Sequence, residues 1–142
     1  MTLHSQETVD TRRVAWPAMR LTSNDNTTKK LYDKDAVALW RGLGAQLARH
    51  IRPIPEGHLA RVVAYYRQPK GRGQVKDPSN LHPITKALVD GITHGPAGTP
   101  RWRGPWPDDS VAYVVAQDDR FLLPAGQLEV IVQVWTGPPP TH

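Results

Sequence analysis

Two spacings of hydrophobic residues along the chain predict where its helices and strands lie. From residue 33 to residue 51, apolar side chains recur every three or four positions, which is the pattern of an amphipathic helix. The residues of this apolar stripe are Ala36, Trp40, Leu43, Leu47 and Ile51. A second, shorter helix is predicted over residues 83–90, because Pro83 suits a first helical turn and Gly91 suits the position just after a helix end.

Strands are predicted where β-branched and aromatic residues cluster or alternate with polar ones. The predicted strands are residues 12–16, 59–67, 111–116 and 128–135. In the last of them Val130, Val132 and Val134 share one face with Leu128, as a half-buried strand requires. The resulting order, β-α-β-α-β-β, predicts an α+β fold in which two helices cover one face of a mixed or antiparallel sheet.

A chain of 142 residues is the size of one domain. We expect this domain to span residues 11–135, with residues 1–10 and 136–142 as loose tails, because the first is polar and aperiodic and the second is rich in proline. The chain has no cysteine and no apolar run of the roughly 18 residues that a membrane span needs. We therefore expect a cytoplasmic protein.

The net charge of +5, from 18 Lys and Arg against 13 Asp and Glu, favours a polyanionic partner such as nucleic acid. The alternative is that the charge serves solubility alone. Two loops concentrate the positive charge. Residues 68–76 are basic and rich in glycine, and residues 93–107 combine arginine and tryptophan in a loop longer than the usual ~4–6 residues.

Carboxylates stand just before the second helix and just before the third strand. Asp77 precedes the helix, and the pair Asp108 and Asp109 precedes the strand. Hydrolysis of a phosphodiester needs hard oxygen ligands for Mg²⁺ and a cation that offsets charge, which Lys86 would supply. Each residue also has an ordinary explanation: Asp77 as a helix cap, the Asp pair as a turn, and Lys86 as the surface partner of Asp90.

Five motifs follow one another in the second half of the chain. They are the basic run Lys70–Lys76, Asp77-Pro-Ser-Asn80-Leu81, the pair Lys86 and Asp90, Asp108-Asp109, and Gly126-Gln-Leu128. This ordered set resembles the RusA family of phage and prophage Holliday-junction resolvases, whose pattern is a basic run, Asp-x-Asp-Asn-Leu, Lys-x-x-x-Asp, Asp-Asp and Gly-x-Leu. The resemblance covers roughly residues 14–135.

The resemblance implies a Mg²⁺-dependent endonuclease that cuts branched DNA in recombination and repair, with Mn²⁺ as a possible substitute. It implies that Asp77, Asp109 and Lys86 are catalytic. Asp77 and Asp109 would bind the metal with Asp108 beside them, and Asn80 or Asp108 would complete the coordination sphere. It also implies a homodimer, because two paired nicks require two symmetric active sites.

The chain departs from the family pattern at Ser79, which stands where the family has its second Asp. The segment between Asn80 and Lys86 is also three residues longer than the family spacing. A second hypothesis is therefore a catalytically weakened protein that binds branched DNA. A third is an interaction domain with a basic face and no role on DNA.

Six residues of the two basic loops are predicted to contact DNA: Lys70, Arg72, Lys76, Arg101, Trp102 and Arg103. Cations bind the phosphates, and tryptophan rings offer stacking surfaces for bases. The alternative for the tryptophans is packing on the core or on a dimer partner. His82 and His94 are explained as loop residues and are assigned no role.

Overall fold

The computed structural model describes residues 8–15, 34–71, 74–108 and 110–139. The strands are β1 (Thr8–Ala15), β2 (Leu59–Arg67), β3 (Val114–Phe121) and β4 (Glu129–Gly137), and the helices are α1 (Lys34–Ala48) and α2 (His82–His94). A short 3₁₀ helix, Pro78–Leu81, precedes α2. The α+β class and the order β-α-β-α-β-β are confirmed. Neither helix in the described part of the chain has the length and apolarity needed to cross a membrane.

The four strands form one mixed sheet in the order β1-β4-β2-β3. The central pair, β4 and β2, is antiparallel, and β1 lies antiparallel on the outer side of β4. The other edge strand, β3, runs parallel to β2. Helix α2 is the crossover between these two parallel strands, so it runs back from the end of β2 towards the start of β3.

The hydrophobic core lies between one face of the sheet and the two helices. Val130, Val132 and Val134 of β4 are at most 1% exposed, whereas the residues between them are half-buried. The core cluster joins these valines to residues of both helices, including Trp40, which is completely buried. The helices therefore cover one sheet face, as predicted from the alternation in the last strand.

The two helices approach each other closely at glycines. A Cβ on Gly44 would overlap the carbonyl oxygen of Leu88, and a Cβ on Gly91 would overlap that of Arg41. The prediction that α2 ends before Gly91 was wrong, because this glycine lies inside the helix, where α1 passes. The helix ends at His94 instead, and Gly95 follows with φ of 73°.

The predicted element ends differ from the structure at both termini and at β3. The strand β1 begins at Thr8, so residues 8–10 belong to the sheet and not to a loose tail, and β4 continues to Gly137. The third strand begins at Val114, three residues later than predicted, because residues 111–113 form a turn. The amides of Tyr113 and Val114 donate to the Ser110 carbonyl there. Residues 1–7 and 140–142 lie outside the described part of the chain.

Candidate functional site

Asp77 stands at the junction between the basic loop and the helical segment that leads into α2. It caps the 3₁₀ helix, and its Oδ1 accepts hydrogen bonds of 2.9 Å from both the amide and the hydroxyl of Ser79. These two bonds lower the pKa of the Asp77 carboxyl. The result is an exposed, ionised carboxylate. Ser79, which stands where the RusA pattern has its second Asp, contributes a hydrogen bond to this carboxylate and no second negative charge.

The basic loop before Asp77 is fixed by a side chain that the sequence analysis did not single out. The Gln68 side chain is buried, and its amide donates to the Val75 carbonyl at 2.6 Å while its oxygen accepts from the Val75 amide at 3.0 Å. This pairing imitates a strand ladder and closes the loop at its base. Lys70 and Lys76 lie exposed on the closed loop. Arg72 lies outside the described residues.

Lys86 lies on the outer face of α2, one helical turn after His82. Its side chain is 61% exposed, and its Nζ lies 3.8 Å from Oδ1 of Asp90, four residues later. The ordinary explanation of this pair as surface partners therefore holds in the structure. An exposed pair of this kind contributes little to stability, so Lys86 keeps the reach to approach a phosphate. Asn80 lies half-buried within the 3₁₀ helix, and its backbone amide donates to the backbone carbonyl of Asp77 at 3.0 Å.

The first turn of α2 carries a hydrogen-bonded chain that runs from the surface into the core. His82 Nδ1 lies 2.9 Å from Oδ2 of Asp119, and the Thr85 hydroxyl donates to the other oxygen of Asp119. The Tyr66 hydroxyl lies 2.5 Å from the Thr85 hydroxyl. A carboxylate only accepts, so the proton on Nδ1 belongs to His82. Because Thr85 gives its proton to Asp119, Tyr66 donates to Thr85.

Burial increases along this series of hydrogen bonds, from His82 at the surface to Thr85 and Tyr66 in the core. The His82 side chain is 42% exposed and that of Asp119 is 9% exposed, whereas Thr85 and Tyr66 are fully buried. The hydrogen bond to Asp119 and its negative charge raise the pKa of His82, against the opposing effects of partial burial and of Lys86. Burial raises the pKa of the Tyr66 hydroxyl, so this tyrosine stays neutral.

Asp119 is a residue that the sequence analysis missed. It lies in β3 opposite Ala64 of β2, on the sheet face that the helices cover. The predicted third strand ended at residue 116, so the alternation that places Asp119 on the inner face was not applied to it. With the observed strand, an acid on the covered face is a visible signal, because a buried charge requires partners.

Asp108 lies at the other end of α2. Ser110 donates from its hydroxyl and its amide to the Asp108 carboxylate, and these bonds lower the pKa of Asp108, with a smaller effect from His94. His94 is the last residue of α2, whereas Asp77 precedes its first turn. A helix of 13 residues is about 20 Å long.

The structure therefore does not bring Asp77 and Asp108 together within one chain. The physical reason is that β3 runs parallel to β2, so α2 must cross back to the end of the sheet where β2 starts. Asp77 lies before this crossing and Asp108 lies after it. Among the residues that the structure describes, no three His, Cys, Asp or Glu side chains form a group able to hold a metal ion. Asp109 lies outside the described residues, so its position is a prediction.

The loop after α2 is anchored by its tryptophans. The indole of Trp106 is buried and donates to the Thr93 hydroxyl at 2.7 Å. Trp102 is half-buried, donates to the Ile92 carbonyl at 3.3 Å and packs so closely on Gly95 that a Cβ there would overlap its ring. Both indole rings therefore pack against the protein itself, which is the alternative to base stacking that the sequence left open.

Two exposed arginines alternate with these anchoring rings, Arg101 before Trp102 and Arg103 after it. The loop thus presents its cations to solvent from a fixed backbone. This arrangement suits phosphate contact, whereas base stacking by Trp102 would use only the part of its ring that remains exposed. Contact of Arg101, Trp102 and Arg103 with DNA stays a prediction.

No protein-family model matches the chain, and no curated protein matches it. The resemblance to RusA resolvases therefore stands on the ordered motifs alone.

Proposed function

We propose that the chain is a metal-dependent endonuclease that hydrolyses phosphodiester bonds in branched DNA such as Holliday junctions, in recombination or repair. The observation that carries this proposal is the exposed, ionised Asp77 at the end of a closed basic loop. An ionised surface carboxylate can bind a divalent cation, and its basic neighbours can bind the phosphate of a DNA strand.

The surroundings of Asp77 supply positive charge from two directions. Lys70 and Lys76 lie exposed on the loop before it, and Lys86 lies exposed on the helix after it. A DNA strand that crosses this end of α2 meets these cations on both sides of the carboxylate. The net charge of +5 brings the strand there through long-range attraction and counterion release.

Asp77 offers a carboxylate and Asn80 a side-chain carbonyl within one 3₁₀ turn, and both are oxygen donors of the kind that Mg²⁺ or Mn²⁺ accepts. When bound, such a cation stabilises charge on the phosphate and lowers the pKa of a water molecule. The described residues complete no coordination sphere by themselves. Asp77 would hold the cation, and Lys86 would offset charge on the phosphate.

The proposed assembly is a homodimer. A four-way junction is resolved by two nicks in strands of like polarity, and a two-fold axis gives two equivalent sites for them. Within the described part of the chain, β1 and β3 are the edges of the sheet and both helices lie on one of its faces, so such an axis would lie at an edge strand or at the other face.

A second candidate function is binding of branched DNA with little or no cleavage. Two observations favour it: Ser79 removes one negative ligand beside Asp77, and Asp108 lies about one α2 length away. Both functions share the cationic surface. They differ in whether divalent cations bind and whether the phosphodiester is cut.

Cleavage of a labelled synthetic four-way junction with Mg²⁺ or Mn²⁺ tests the proposal. We compare the wild type with Asp77→Asn and Asp109→Asn, and use Asp118→Asn as a control because Asp118 lies on the opposite sheet face from Asp119. Symmetric nicks that both test variants lose, with junction binding retained, are expected. Tight binding by the wild type without cleavage under either metal would support the second function.

A further inference from the structure

The face of the sheet opposite the two helices, the outer face, carries no residue of the candidate site described above. In β4 the inward positions are buried, whereas Ile131, Gln133 and Trp135 alternate with them and stay half-buried. The strand register places the outward residues of all four strands in rows that cross the sheet. They are Val9, Thr11 and Arg13 of β1, Glu129, Ile131, Gln133 and Trp135 of β4, Arg61, Val63, Tyr65 and Arg67 of β2, and Ala116, Asp118 and Arg120 of β3.

One row of the outer face has an apolar centre between two cations. From β1 to β3 it reads Arg13, Ile131, Tyr65 and Arg120. The two central side chains are half-buried, and the two arginines at the edges are exposed. This order suits a ligand that has flat, apolar parts and carries negative charge beside them.

A second row holds the largest aromatic residue of the outer face. Arg61 and Trp135 lie opposite one another, and the guanidinium carbon of Arg61 is 5.3 Å from the centre of the Trp135 ring, which is a cation–π contact. The pairing of β2 and β3 is irregular beside Arg61, where Val115 is 48% exposed. A groove of about 190 Å³ lies there, lined by Arg61, Trp135, Val115 and Pro138 among others. It offers a planar ring an aromatic wall and a cation.

The outer face is positively charged. Within the described residues, four arginines lie on it against two acids. The carboxylate of Glu129 is already bound by Arg13 at 2.6 Å and by Arg67 at 2.9 Å. Arg61 and Arg120 are exposed, so the balance complements a phosphate backbone. A second copy packed face to face would instead bring these arginines against its own, and like charges across an interface oppose association.

Single-stranded DNA is the ligand that this combination fits. Duplex DNA keeps the flat sides of its bases inside the stack, so an aromatic surface contacts them only in a single strand. Sheets that bind single strands use aromatic residues on their open face in this way. Between the two aromatic residues lie the aliphatic side chains of Val63 and Ile131. A ribose 2′-hydroxyl placed against them would lose water without gaining a hydrogen bond, which favours DNA over RNA.

We propose that the outer face binds single-stranded DNA, with bases stacked on Trp135 and Tyr65 and the backbone bound by Arg61 and Arg120. The two aromatic rows are four residues apart along β4, or about 13 Å, so the DNA strand must run along the central strands of the sheet to reach both. This surface is on the other side of the sheet from α2 and does not depend on the proposed cleavage. With DNA on the outer face, the two-fold axis of the proposed homodimer would lie at an edge strand.

Binding of a labelled oligothymidylate is measured by fluorescence anisotropy in EDTA, so that no metal-dependent cleavage occurs. Trp135→Leu and Tyr65→Leu keep an apolar side chain and remove the ring. Each is expected to raise Kd roughly 5- to 100-fold, which is the loss of one stacked base. Trp135→Phe keeps a ring and is expected to retain most of the affinity. Unchanged Kd in both leucine variants would overturn the proposal.

The salt dependence of the same binding tests the backbone contact. Arg120→Ala is expected to raise Kd and to lower the salt slope by about 0.7, the value for one phosphate on a single strand. The matched control is Arg49→Ala, an exposed arginine that directly follows α1, for which unchanged Kd and slope are expected. Equal effects of the two substitutions would mean that the DNA responds to net charge alone, which refutes a site on the outer face.

The outer face is also observed in the wild type, so that the conclusion does not depend on the stability of the leucine variants. In ¹⁵N-labelled protein, the indole N–H signal of Trp135 is identified by its loss in Trp135→Phe. Addition of the oligothymidylate is expected to shift this signal and to leave that of the fully buried Trp40 in place. A Trp135 signal that does not move at saturating DNA would overturn the proposal.

Two other occupants of the outer face give different results, and either result would overturn the proposal. Tighter binding of oligouridylate than of oligothymidylate would assign the face to RNA. A lower mass of Trp135→Leu than of the wild type in analytical ultracentrifugation, with unchanged Kd for DNA, would assign it to a second copy of the chain. Absence of junction cleavage bears on the endonuclease alone, because binding to the outer face is measured without metal.

Discussion

The close approach of α1 and α2 predicts that Gly44→Ala destabilises the protein. An added Cβ at this position meets the backbone carbonyl of Leu88, and a backbone atom cannot move aside by a change of rotamer. The two helices must therefore separate or tilt. The cost of forcing one extra methyl group into a packed interior is about 1–3 kcal/mol, even after the helix-propensity gain of alanine over glycine offsets part of it.

Gly42 provides the matched control within the same helix. A Cβ at Gly42 meets no atom within 4 Å, so Gly42→Ala changes helix propensity alone. We expect this variant to be stabilised by about 0.5–1 kcal/mol. The difference in free energy of unfolding between Gly42→Ala and Gly44→Ala should therefore be about 1.5–4 kcal/mol, a large part of the total stability of a small domain.

Urea denaturation followed by circular dichroism measures this difference. The two variants should share the m-value of the wild type and differ in midpoint, because the surface exposed on unfolding is the same. If Gly44→Ala were as stable as Gly42→Ala, the helices would not be in backbone contact. The measurement also bears on the candidate site, because α2 carries His82 and Lys86. Any displacement of α2 moves both residues relative to the sheet.

Three further predictions follow from single groups. Arg101→Ala and Arg103→Ala should each weaken junction binding and lower its salt slope by about one, and an unchanged slope would remove that loop from the interface. Asp119 raises the pKa of His82, so the stabilisation by this pair is fully present below the ordinary histidine pKa of about 6.5 and is lost as the pH rises through the raised pKa. The difference in free energy of unfolding between the wild type and His82→Gln should therefore be smaller at pH 9 than at pH 6, as measured by urea denaturation at both pH values. Tyr66→Phe should cost about 1 kcal/mol in urea denaturation, through its lost hydrogen bond, and a stability equal to wild type would contradict the network.

The elements themselves were predictable because local patterns determine them. The alternation of Val130, Val132 and Val134 fixed the buried face of β4, and the apolar stripe fixed the inner face of α1. The ends of the helices were harder to predict than the helices themselves. Glycine is the residue that often follows a helix end, so Gly91 suggested a terminus. Only the path of α1 across it shows that this glycine allows the two helices to pack closely instead.

Contacts between distant segments were not predictable from spacing. The sequence pattern places Asp77 and Asp108 in one set of motifs, but the direction of β3 decides where Asp108 lies. A parallel β3 brings residues in the middle of that strand, such as Asp119, to the first turn of α2. An antiparallel β3 would have brought the residues before the strand to that end instead. Strand direction depends on long-range pairing, which no local pattern encodes.

The separation of Asp77 from Asp108 leads to a final prediction about the proposed homodimer. If both carboxylates are needed for cleavage, and one chain holds them at opposite ends of α2, each active site must combine Asp77 of one protomer with Asp108 of the other. Asp77→Asn and Asp108→Asn homodimers should then be inactive. A heterodimer of the two variants has one site with both substitutions and one site that is intact.

Mixing the two inactive variants under conditions that exchange subunits therefore tests the shared site. We expect about a quarter of wild-type nicking, because about half of the dimers are heterodimers and each has one intact site out of two. The products should be single nicks and not paired ones. A mixture without any nicking, from subunits shown by mass spectrometry to exchange, would refute the shared site. An Asp108→Asn homodimer that still cuts the junction would show instead that Asp108 has no part in the site of Asp77.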